Sequence, residues 1–167
     1  MSVEDNFINI RRELISLLRK MEVHQDSNFE TIAMKIFRFQ AENNSTYKQF
    51  IELLKINPAS ISDYKDIPFL PVEAFRDHHV TTGEFSPEII YRSSGTTNSS
   101  RRSEHRVRNV EWYNEVSKRI FSSFVSPVNN LTLFALLPGY IERNNSSLVE
   151  MSRSFMKASN QPERFYL

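Results

Sequence analysis

The chain is 167 residues long, 40% apolar, and carries 21 basic against 20 acidic side chains for a formal net charge of +1. That composition is globular, and its balance of charge excludes a global field that would draw in nucleic acid or an anionic membrane surface; electrostatic recognition must be local. The absence of cysteine excludes disulfide scaffolds, thiolate zinc sites and cysteine nucleophiles, and fits a reducing compartment. Glu4 and Asp5 precede Arg11 and Arg12 with no apolar run after them, which is not a targeting signal. The longest apolar stretch, Leu131 to Leu137, is too short to cross a bilayer, so the expectation is a cytoplasmic chain without a membrane span. Only three glycines occur, Gly83, Gly95 and Gly139, where about twelve would be average, so each marks a place where the backbone needs one.

In chain order, Phe7, Ile10, Leu14, Leu17, Leu18 and Met21 recur at helical spacing and predict a first helix. Ser27 with Glu30 reads as a capping box for a second, whose buried face would be Phe29, Ile32, Ala33, Ile36 and Phe37. Thr46 with Gln49 repeats the device ahead of Phe50, Ile51, Leu53 and Leu54. The prolines of Asp66-Ile67-Pro68-Phe69-Leu70-Pro71 impose extended backbone, and Pro71 opens a short helix with Val72, Ala74 and Phe75. Residues 1–65 are therefore read as a helical region.

From residue 66 to 167 the expectation is a partial α/β nucleotide-binding region. Glu88 to Arg92 predicts a strand, Ser93 to Ser103 a polar loop, and Asn109 a cap for a helix with Val110, Tyr113, Val116, Ile120 and Phe124 inward. Leu131 to Leu137, closed by Pro138-Gly139, predicts a buried strand; Ser147 with Glu150 predicts a capping box for a last helix with Leu148, Met151 and Phe155 inward. Arg164 to Leu167 looks like the start of a third strand. The fold class is α/β: an N-terminal helical region, then a partial mixed or parallel sheet with flanking helices, expected to be a fragment of a larger domain.

The chemistry is concentrated in Tyr91-Arg92-Ser93-Ser94-Gly95-Thr96-Thr97-Asn98-Ser99-Ser100-Arg101-Arg102-Ser103, which holds five serines and two threonines. Small residues after a strand let backbone N–H groups converge on an anion while hydroxyls add donors, and Gly95 permits close approach. Arg101, Arg102, Arg106 and Arg108 outnumber Glu104 by three charges. The set suits a polyphosphate; a solvated serine-rich loop has the same composition.

Ser93-Ser94-Gly95-Thr96-Thr97 resembles the phosphate-binding signature of the adenylate-forming superfamily. With Asp66 to Val72 upstream, Ser103-Glu104-His105 after the loop, and Leu137-Pro138-Gly139-Tyr140 with Arg143, Ser146, Ser147 and Leu148, the chain from about residue 66 onward is similar to the acyl-protein synthetase (LuxE-type) family. That resemblance implies an ATP-dependent, Mg²⁺-assisted ligase of adenylate-forming type. It would activate a carboxylic, including fatty, acid as the acyl-adenylate and, as an acyltransferase, pass the acyl group to a serine of its own outside this stretch of sequence or to another acceptor, an acyl-acceptor protein among them. It further implies that Ser93, Ser94, Thr96 and Thr97 hold phosphates, that Gly95 gives backbone access, and that Arg101 or Arg102 supplies the cation. His105 and Arg143 would meet the reacting groups, and Tyr140 would line the nucleotide or acyl pocket. Asn98 stands where many superfamily members have a second glycine, and no Pro-Lys follows.

His78-His79 is a poor metal pair, because adjacent side chains diverge, and no protein-held metal is expected. A serine hydrolase would need G-x-S-x-G, and a Walker loop Gly-Lys-Ser/Thr; neither is present. Arg101 to Arg108 with Trp112 and Tyr113 is the residue set a nucleic-acid module would use, but Tyr113 belongs to a helical core stripe, and nucleic acid is not expected as a partner. A non-catalytic interaction domain with a degenerate phosphate loop is the remaining alternative.

Overall fold

A computed structural model describes residues 3–21, 29–93, 102–137, 145–162 and 165–166. The chain divides into two compact units, Met1–Phe85 and Ser86–Leu167.

The first unit is built on three helices: α1 (Val3–Met21), α2 (Phe29–Asn43) and α3 (Ser45–Leu53). On α1, Phe7, Ile10 and Leu14 are half-buried along the expected stripe, and Glu13 pairs with Lys35 of α2 at 2.9 Å. The expected cap at Ser27 lies outside the described residues. Helix α2 buries more than one stripe: Ile32, Met34, Phe37, Phe39 and Ala41 are all inside, Ala33 and Ile36 are half-buried, and Phe29 is exposed, its ring edge-on to Tyr64. Met34, Phe37 and Ala41 meet Tyr47 and Ile51 of α3 in one core cluster.

The start of α3 corrects the sequence reading. Its cap is Asn44, a buried residue whose side chain accepts from the Tyr47 N–H at 3.1 Å, whereas the Thr46 hydroxyl donates to the His79 carbonyl. Of the apolar residues expected on α3, Ile51 is buried at 2% exposure, whereas Leu53 and Leu54 lie outside, Leu53 at 83%. Lys55 closes the helix in the left-handed region (φ 57°), with Ile56 N–H returning to the Ile51 carbonyl. The Tyr47 hydroxyl donates to the Pro68 carbonyl at 2.6 Å and ties the proline segment to the core. A short helix α4 (Ala74–Asp77) follows Pro71, with Val72 exposed rather than packed. Gly83 has φ 68°, a left-handed position that glycine adopts without steric cost, and donates to the Asn43 carbonyl; Gly95 and Gly139 lie outside the described residues.

The second unit mixes helix with two small sheets, so the chain is α/β in the broad sense. Strand β1 (Ile89–Arg92) pairs antiparallel with β2 (Glu104–Val107), Ile89 opposite Val107 and Arg92 opposite Glu104. The serine-rich segment thus connects two antiparallel strands, not a strand and a helix. Helix α5 (Val110–Phe124) starts as read, at Asn109, whose side chain accepts from the Trp112 N–H, with the Glu88 carboxylate taking the Val110 N–H at 2.8 Å. Its far end departs from the expected stripe: Ile120 and Phe124 are exposed, and Phe121 instead packs on Phe155 at 4.9 Å.

The expected buried strand Leu131–Leu137 shrinks to β3 (Ala135–Leu136), with Ala135 buried, Phe134 exposed and Leu136 exposed at 74%. Part of the missing ladder is replaced by one side chain: Gln161 accepts from the Leu133 N–H and donates to the Leu131 carbonyl. Helix α6 (Ser147–Ala158) crosses over to β4 (Phe165–Tyr166), which pairs parallel with β3, where the sequence predicts a further strand. The α6 cap is Ser146 rather than Ser147; it accepts from the Val149 N–H. Val149, Phe155 and Met156 are buried, while the expected inward Leu148 is exposed. Among the described residues no helix is long and apolar enough to cross a membrane.

Candidate functional site

Side chains alternate across a strand, so the β1–β2 pair presents two different surfaces. Ile89, Tyr91, His105 and Val107 share one face; Ile90, Arg92, Glu104 and Arg106 share the other.

The first face packs on α5. Tyr91, only 3% exposed, has its ring 5.5 Å from Tyr113 and 6.4 Å from His105, and His105 meets Tyr113 edge-on at 6.3 Å. The His105 residue reaches the surface, yet its imidazole sits against two tyrosine rings, and that loss of water lowers its pKa below the ordinary value of 6.5. At neutral pH it is an uncharged acceptor and donor. The Tyr91 hydroxyl is buried without a hydrogen-bond partner; burial, then Glu150 and Tyr113, raises its pKa. Glu150 itself accepts from the Asn114 amide at 2.8 Å.

The opposite face is charged. One oxygen of Glu104 accepts from Nε and Nη2 of Arg92 at 3.1 and 3.0 Å, and the other accepts from Nη2 of Arg106 at 3.1 Å. The hydrogen bond from Arg92 is the largest influence holding the Glu104 carboxyl below its ordinary value.

Where the two strands separate, the loop is clasped at its base. Ser93 N–H donates to the Ser103 carbonyl at 3.0 Å, and the Ser93 hydroxyl accepts from the Ser103 N–H at 3.1 Å. One residue away, the Arg92 N–H donates to the Asn145 carbonyl at 3.0 Å, immediately before the Ser146 cap of α6. Arg92 and Asn145, far apart in sequence, therefore meet directly.

Of the site residues proposed from sequence, Ser93, Arg102 and His105 fall within this region, with Arg102 half-buried beside Ser103. Ser94, Gly95, Thr96, Thr97, Arg101, Tyr140 and Arg143 lie outside the described residues. The sequence reading included Tyr91 and Arg92 at the head of the polar segment and Glu104 in the Ser103-Glu104-His105 motif but gave none of the three a role. Strand alternation from Tyr91 would have separated them, had β2 been paired with β1. Among the described residues no group of three or more His, Asp or Glu is placed to hold a metal ion. Comparison of the chain with protein-family models, with curated proteins and with solved structures finds no match.

Proposed function

We propose that the chain is the N-terminal part of an ATP-dependent acyl-activating enzyme of acyl-protein-synthetase type, and that residues 93–103 hold the nucleotide's phosphates. The observation that carries this reading is the clasp: Ser93 and Ser103 close the loop's base, while the Arg92–Asn145 hydrogen bond brings the start of α6 to the same point. The clasp fixes the two ends from which the segment's hydroxyls and N–H groups would reach an anion, and bringing those ends together is part of the entropic cost of forming such a site.

In the proposed reaction a carboxylate oxygen attacks the α-phosphorus of ATP. The new bond is the acyl–phosphate bond of the acyl-adenylate, and the bond to pyrophosphate breaks. A protein serine hydroxyl, the enzyme's own or that of an acceptor, then displaces AMP, forming an ester and releasing its proton. Both Glu104 oxygens are spent on arginines, so the Mg²⁺ of such a reaction would be held chiefly by phosphate oxygens and water. The neutral imidazole of His105 fits a contact with substrate near the loop's exit. Cytoplasmic location is part of the proposal.

The test is carboxylate-dependent exchange of labelled pyrophosphate into ATP by the whole protein that carries this chain. Exchange is expected with the wild-type sequence and abolished by Thr96→Ala with Thr97→Ala. Exchange that survives the double substitution contradicts the assignment.

A docking module is the second reading, favoured by one observation: Leu53, Phe69 and Val72 of the first unit are all largely exposed apolar side chains. It predicts a stable complex with another protein and no pyrophosphate exchange.

A further inference from the structure

We draw no further inference here: the strongest candidate, the side-chain cluster of Tyr91 on β1 with Asn114 on α5 and Glu150 on α6, leaves the Tyr91 hydroxyl and the Asn114 Oδ1 buried without hydrogen-bond partners, but nothing in the structure shows what would reach them.

Discussion

The backbone N–H of Arg92 donates to the Asn145 carbonyl at 3.0 Å, joining the last residue of β1 to the turn that starts α6. The contact spans more than fifty residues of sequence and lies one residue from each of two polar structures, the Ser93–Ser103 clasp and the Ser146 cap. It fixes where the helix begins relative to the mouth of the serine-rich loop.

The identity of that cap is testable by a pair of substitutions. Ser146 is buried and accepts from the Val149 N–H, whereas Ser147 lies inside the helix. Ser146→Ala is expected to cost about 1 kcal/mol in urea unfolding, and Ser147→Ala less than about 0.5 kcal/mol. A reversed order would restore the cap to Ser147.

Alkaline pH probes Tyr91. Its phenol is raised above 10.0 in the folded chain by burial, then by Glu150 and Tyr113, so the folded state holds the proton more tightly than the unfolded state. The resulting stability is fully present below the unfolded pKa near 10 and is lost as pH rises through the higher folded value. Tyr91→Phe is expected to flatten that decline. At pH 7 it is also expected to leave stability unchanged or raise it by about 1 kcal/mol, because the hydroxyl it removes is buried without a partner. Melting curves at pH 7 and in the alkaline range measure both effects.

At the acid end, His105 has the opposite sign. Packing against Tyr91 and Tyr113 removes water and depresses its folded pKa below 6.5, so the unfolded state binds the proton first. The stability linked to it is present above the unfolded pKa near 6.5 and is lost as pH falls through the lower folded value. Replacing His105 with Phe keeps a ring and is expected to reduce the fall in denaturation midpoint between neutral and mildly acid pH. An unchanged pH profile would show that the imidazole does not sense this packing.

In the first unit, Ile51 and Leu53 lie on opposite faces of one helix. Ile51→Ala is expected to cost about 2–4 kcal/mol by opening a cavity beside Phe37 and Tyr47, while Leu53→Ala costs less than about 0.5 kcal/mol. Comparable losses from both would mean that Leu53 packs into the core as the sequence reading expected.

These cases show what can be read from the chain and what cannot. Asn109 was legible as a cap because a polar residue stands immediately before an apolar periodicity. Asn44, Thr46, Ser146 and Ser147 were not separable that way, since each is a good cap and only the packing of Tyr47 or Val149 chooses between neighbours. Leu131 to Leu137 looked like a buried strand because hydrophobicity does not report how many neighbours a strand finds; here β3 pairs over two residues and leaves Leu136 outside. The polar loop was visible from Ser93 to Ser103, but its closure by an antiparallel partner depends on Arg92 facing Glu104, a long-range pairing that no local pattern encodes.

Nucleotide binding at the serine-rich loop is read by amide NMR of the isotope-labelled whole protein that carries this chain during titration with MgATP. Saturable shifts are expected in residues 93–103 and 145–147, with little movement in residues 29–53. Shifts confined to the helical unit, or none at millimolar nucleotide, would contradict it.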